Sequence, residues 1–130
     1  MKNEVYLRLI LEGTSMSFDE ITNLLIIEPS IKHKKDSLIY KNGTKKHKTN
    51  KWIYEIYKKN VIHTDELLDY LRKKFTPKLN SLVHLGKKYN ISVLLICYLK
   101  EGSPSIVVEK KNLSFLHKIG ATFSIDTYCL

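Results

Sequence analysis

The chain has 130 residues, 43% hydrophobic and 27% charged, and a formal net charge of +9. One domain of that length buries about two-thirds of the surface its unfolded chain exposes, so neither disulfides nor a structural metal is required, and wholesale disorder is excluded. The charge is concentrated: residues 31–51 hold eight lysines and one acid, against 14 basic and 12 acidic residues in the remainder.

Of the two cysteines, Cys97 sits in an apolar run and Cys129 next to the C-terminus. Neither has a partner at metal-ligand spacing, so both are expected as free thiols of a cytoplasmic protein. The apolar stretch Val5–Leu11 is interrupted by Arg8. It is too short for a signal-peptide core or a bilayer span, so no membrane association is expected.

EVYLRLILEG (4–13) alternates: Val5, Leu7, Leu9 and Leu11 point one way, and Tyr6, Arg8, Ile10 and Glu12 the other. Period two predicts a half-buried strand. SFDEITNLLII (17–27) predicts a helix, with Ser17 and Glu20 as a reciprocal cap, Phe18, Ile21, Leu24 and Leu25 at helical spacing, and Pro29 ending the element. Asn42-Gly43 favours a tight hairpin turn. That places a short strand near Leu38–Lys41 and its partner at Lys51–Lys58, with a projecting lysine loop between them.

TDELLDYLRKKF (64–75) predicts an amphipathic helix capped by Thr64, its acids at the start and bases at the end. Thr76-Pro77 then opens a second helix, with Asn90 as a left-handed stop. ISVLLICYL (91–99) predicts an interior strand. A short strand at Ser105–Glu109, a helix capped by Asn112 and stopped by Gly120, and a closing strand ATFSIDTYC (121–129) complete the chain. The order β-α-β-β-α-α-β-β-α-β predicts an α+β domain: a largely antiparallel sheet with helices packed on one face.

LRLILEG (7–13), SFDEITNLL (17–25), EPS (28–30), KKD (34–36), a glycine turn followed by Trp52, and the closing IDTY (125–128) together resemble the bacterial family known as domain of unknown function 4279, over nearly the whole chain. The resemblance implies a small cytosolic α+β domain without an established activity, and an immunity protein encoded beside a toxin. The family pattern carries glycine before the aspartate of the basic segment, where this chain has Lys35 before Asp36. The resemblance transfers no catalytic residue.

Two surfaces are candidates for function. In the basic segment, Lys34, Lys35, Lys45, Lys46, Lys48 and Lys51 fit phosphates of a nucleic acid or a phosphorylated ligand, with Trp52, Tyr54 and Tyr57 available to stack on bases. The plainer reading is a solvated loop that guards a hairpin edge. The segment has no arginine, the residue shaped for bidentate phosphate contact, and this favours the plainer reading. The second candidate is the sheet face opposite the leucines. There Tyr6, Arg8, Tyr57, Tyr98 and Tyr128, joined by Ile10, Ile53 and Asp126, form either a protein-binding patch or an ordinary solvated face stabilised by cross-strand aromatic pairs. A second copy of the chain is a further occupant for it.

The five histidines show no metal-ligand spacing, and His63 beside Asp65 and Glu66 fits helix-end chemistry. A glycine-rich phosphate loop, a nucleophile elbow and a Cys-x-x-Cys pair are all absent from the sequence. The expectation is a non-enzymatic binding module without cofactor or metal. Its partner would be a toxin or another acidic protein, with nucleic acid or a phosphorylated ligand as the alternative.

Overall fold

Strict alternation in the first strand sets the architecture. A computed structural model describes residues 2–130. In chain order the elements are β1 (Lys2–Gly13), α1 (Phe18–Leu25), β2 (Ile31–His33), β3 (Asn50–Lys59), α2 (Asp65–Phe75), a 3-10 turn (Thr76–Lys78), α3 (Leu79–Lys88), β4 (Asn90–Glu101), α4 (Lys110–Lys118) and β5 (Thr122–Cys129). The strands form one sheet of order β2-β3-β1-β4-β5. All neighbours are antiparallel except β4 and β5, which run parallel across the α4 crossover. The domain is α+β as expected, with its helices on one face.

Val5, Leu7, Leu9 and Leu11 are 0% exposed on the helix side. Trp52 of β3 and Val93 and Leu95 of β4 join them beneath Ile21 and Leu25 of α1, Leu67, Leu71 and Phe75 of α2, and Leu82 and Leu85 of α3. Full burial of each such side chain contributes about 1.5–3 kcal/mol. The helices approach closely at Gly86 of α3, where a Cβ would meet the Ile119 carbonyl oxygen at 2.7 Å. Gly120 takes φ +69° to turn the chain from α4 into β5, a conformation that suits glycine.

Several local expectations are corrected. The helix α1 ends at Leu25 because Ile26 adopts φ 54°, four residues short of Pro29. Ser17 does cap it, accepting from the Glu20 amide at 3.3 Å, but the Glu20 carboxylate reaches Lys88 at 2.7 Å instead of returning to the cap. Residues 38–41 form no strand along β3; the three residues of β2 take that place. Instead Leu38 bridges Lys46 within a small irregular hairpin of its own. Asn90 opens β4 with no left-handed stop, the helix ending at Tyr89 in extended conformation. The Ser105–Glu109 strand reduces to a single bridge between Ser105 and His63.

Thr64 takes the N-cap position of α2 as expected, but its side chain makes no capping bond; it and Asn112, also expected as a cap, are both buried. The Thr64 hydroxyl donates to the Ser105 carbonyl at 3.3 Å, which ties the start of α2 to the loop before α4. Asn112 lies inside α4 and fastens it to α2: its amide donates to Asp65 Oδ1 at 2.8 Å and Asp69 Oδ1 at 3.0 Å, and its carbonyl oxygen accepts from Arg72 Nε at 3.0 Å. The same bond from Asn112, with Lys111 and Arg72 nearby, holds the Asp69 carboxyl below its ordinary range. Asn3 performs a similar service for the chain leaving β3, donating to the Val61 carbonyl and accepting from the Val61 amide.

Removing one member of a satisfied buried set leaves its partners without bonds at a cost of about 1–3 kcal/mol. Asn112→Ala is therefore expected to lower stability by about that amount, read as a fall in the urea midpoint. Leu113→Ala, one residue along α4 and 54% exposed, should stay within about 0.5 kcal/mol of the parent.

Candidate functional site

The face of the sheet opposite the helices carries the even-numbered residues of β1, β4 and β5 and the odd-numbered residues of β3. Register aligns Tyr6 with Tyr57 across β1 and β3, Glu4 with Tyr98 across β1 and β4, and Tyr98 with Tyr128 across β4 and β5. The rings of Tyr57 and Tyr6 lie 4.8 Å apart, those of Tyr6 and Tyr98 meet edge-on at 5.9 Å, and those of Tyr98 and Tyr128 stack at 5.2 Å. Four strands thus contribute one continuous tyrosine row. Its two ends are the most open, Tyr57 at 43% and Tyr128 at 48% exposure.

One carboxylate braces the row and a second engages Arg8 on the same face. The Tyr57 hydroxyl donates to Glu4 Oε1 at 2.9 Å, and loss of water together with this bond pushes its pKa up to about 12. Arg8 Nε donates to Glu55 Oε1 at 2.7 Å, a directly opposed cross-strand pair. A shallow recess of about 360 Å³ lies among Glu4, Tyr6, Arg8, Glu55, Ile96, Tyr98 and Leu130. The expected patch residues Tyr6, Arg8, Tyr57, Tyr98 and Tyr128 are therefore neighbours on one surface. Glu4 and Glu55 were missed; their cross-strand register is their only signal, and it follows from strand order.

The lysine segment does not project. Asp36 and Ser37 exchange backbone hydrogen bonds with His47 at 2.8 Å each, and Tyr40–Gly43 makes the turn. The hairpin lies back against the sheet at the β2 edge: the His33 and His47 rings stack at 4.3 Å, Thr49 Oγ1 donates to Glu12 Oε2 at 2.5 Å, and Asn50 Oδ1 accepts from the Lys35 amide at 2.7 Å. Ile53, on the outer face of β3, is only 2% exposed. Lys45, Lys46, Lys48 and Lys51 line a recess of about 540 Å³ with Glu12, Ile39, His47 and Thr49.

Lys34 and Lys35 are exposed but do not line that recess. Trp52 is corrected outright as a stacking partner for bases. Its side chain is 0% exposed, and its indole N–H donates to Thr22 Oγ1 at 3.1 Å on the helix side. Tyr54 also faces inward, edge-on to Phe75 at 5.2 Å.

Among the described residues no group of three or more His, Cys, Asp or Glu side chains converges to hold a metal. Cys97 is buried, which raises its thiol pKa, while Cys129 is exposed; both are free. Among the described residues no helix is long and apolar enough to cross a membrane.

These features define the class: an α+β domain whose five-stranded sheet is packed by helices on one face and presents tyrosines on the other. The chain belongs to the family described as Domain of unknown function (DUF4279), which it matches over residues 3–130. No curated protein and no solved structure matches it.

The His33 pKa lies below its ordinary value of 6.5 through burial first, then the charges of His47, Lys51 and Arg8. The unfolded chain thus binds this proton more readily than the folded one. The associated stability is full above 6.5 and drains away as pH falls from there toward the lowered value. His33→Gln is expected to lose less of its urea midpoint than the parent between neutral pH and pH about 5, because the titrating group is gone. Equal losses in the two proteins would refute this.

Proposed function

We propose that this protein acts by binding another protein through the outer face of its sheet, as a cytosolic immunity protein that sterically occludes a bacterial toxin. The observation that carries the reading is the braced row Tyr57–Tyr6–Tyr98–Tyr128. Tyrosine combines a large apolar ring with a polar tip and has few side-chain rotations to lose, and it is enriched where interfaces concentrate their energy. Ring-on-ring contacts and the Glu4 bond already hold the side chains in place, so docking orders little that is not ordered beforehand. The toxin assignment comes from the family resemblance. In it, catalysis plays no part.

The lysines at the β2 edge give such a contact its direction. Arg8 and Tyr57 are engaged by Glu55 and Glu4, so the middle of the face carries little free charge. Lys45, Lys46 and Lys48 stand exposed to one side of it and would draw in an acidic partner by long-range attraction.

The test is co-expression with the product of the gene adjacent in the host genome, followed by direct measurement of binding. Tyr6→Ala and Tyr98→Ala should each weaken the complex by about 30-fold or more, the mark of a residue worth about 2 kcal/mol or above, and the double variant should abolish protection. A toxic neighbour that the parent neither binds nor neutralises would eliminate the immunity reading. Undiminished protection by the double variant would eliminate this face as its seat.

A second reading has its own observation, the convergence of Lys45, Lys46, Lys48 and Lys51 on one recess beside His47. It assigns to that recess a nucleic-acid backbone or a phosphorylated small ligand, held as point charges without aromatic stacking. Under this reading the parent is retained on a polyanion column at physiological salt, and substituting glutamate at lysines 45, 46 and 48 abolishes retention. Negligible retention of the parent would end it.

A further inference from the structure

The two edges of the sheet are unlike. At one, β2 is three residues long and is followed by the lysine hairpin, both devices by which natural sheets keep other strands away. At the other, β5 runs for eight residues, Thr122–Cys129, and is paired only on its β4 side. Its sequence TFSIDTYC has no lysine, no proline and a single charge, Asp126. All but Phe123 among its residues are exposed, including Ile125 at 43% and Tyr128 at 48%. An edge with unpaired amides and carbonyls, apolar side chains and no guard is a template for another strand.

We propose that the strand it receives is β5 of a second copy, antiparallel about a two-fold axis normal to the sheet, so that two five-stranded sheets join into one of ten strands. Charge distribution favours a second copy. The basic segments lie at the opposite edges, and with strands about 4.8 Å apart they end up about 40 Å from one another. That is several times the screening length of about 8 Å at physiological salt, so the net charge of +9 does not oppose this contact.

Symmetry also fixes the register. Side chains directly opposite each other in an antiparallel pair share a face, so one residue must oppose its own copy. Centring on Asp126 sets two carboxylates face to face, which is destabilising. Centring on Ser124 pairs only Thr122 through Asp126 and leaves the last three residues of the strand unpaired. Centring on Ile125 pairs Thr122 through Tyr128, sets Ile125 against Ile125 of the second copy, and places Asp126 opposite Ser124. The helices of both copies then lie on one side and both tyrosine rows on the other.

Sedimentation equilibrium of the full chain tests this. The parent is expected to shift toward twice 15.2 kDa as concentration rises from micromolar to millimolar. Ile125→Lys, which opposes an ammonium to its own copy, should remain at 15.2 kDa with an unchanged circular dichroism spectrum. Ser124→Lys sets lysine opposite Asp126 twice and should move association to lower concentration; it decides the matter even where Ile125→Lys fails to fold. A parent monomeric throughout the range would overturn the proposal. So would a dimer unaffected by folded Ile125→Lys, a dimer weakened by Ser124→Lys, or one abolished by Tyr98→Ala alone.

Discussion

The structure depends on the way β1 is held. It is hydrogen-bonded along almost its whole length on both sides, to β3 from Glu4 to Gly13 and to β4 from Lys2 to Glu12. A strand paired on both edges cannot rotate about its axis, so its alternating residues are committed to opposite faces. Val5, Leu7, Leu9 and Leu11 are driven beneath the helices. Tyr6 and Arg8 are by the same geometry set in the middle of the open face. A slip of one residue would place four aliphatic side chains in water and seal an arginine in the core, costing far more than the few kcal/mol that separate folded from unfolded.

The polar groups between layers act on a different link of the chain from sequence to structure. Apolar burial decides which face each element turns inward but leaves sliding and tilt weakly determined. Asn112 against Asp65, Asp69 and Arg72, Asn3 against Val61, and Thr64 against Ser105 each join segments more than 35 residues apart. Hydrogen bonds need donor and acceptor aligned within tenths of an ångström, so these contacts fix how α4 sits on α2 and how β3 hands over to α2.

Periodicity made the framework legible before any coordinates. The alternation of β1, the helical stripes of α1 to α3 and the apolar run of β4 all answer to solvent exposure, a property each residue carries locally. Ends and partners were harder. Thr64 and Asn112 are residue types that cap helices; Thr64 does stand at the cap position of α2, but both side chains bond the neighbouring segment instead of a helix end. Asn42-Gly43 does make a turn, yet its return strand is Lys45–His47, because the three residues of β2 already fill the edge of β3. Trp52 and Lys51 are adjacent in sequence and lie on opposite sides of the sheet. Charge clustering along a sequence therefore says little about which aromatics share its surface.

That difference bears on the binding role proposed for the sheet face. Lys45, Lys46, Lys48 and Lys51 share a recess, but their ammonium groups end long flexible stems, and holding several of them in one geometry costs about 1.5–2 kcal/mol of side-chain entropy apiece. Surface lysines attract from a distance and specify little. The tyrosine row is held by ring contacts across four strands and by the Glu4 carboxylate, around Tyr6 of the strand that is paired on both edges. The ordering cost has been met by folding itself. In the proposed role, long-range attraction from the lysine hairpin complements a preordered tyrosine surface, and that surface descends from the alternation of a single strand.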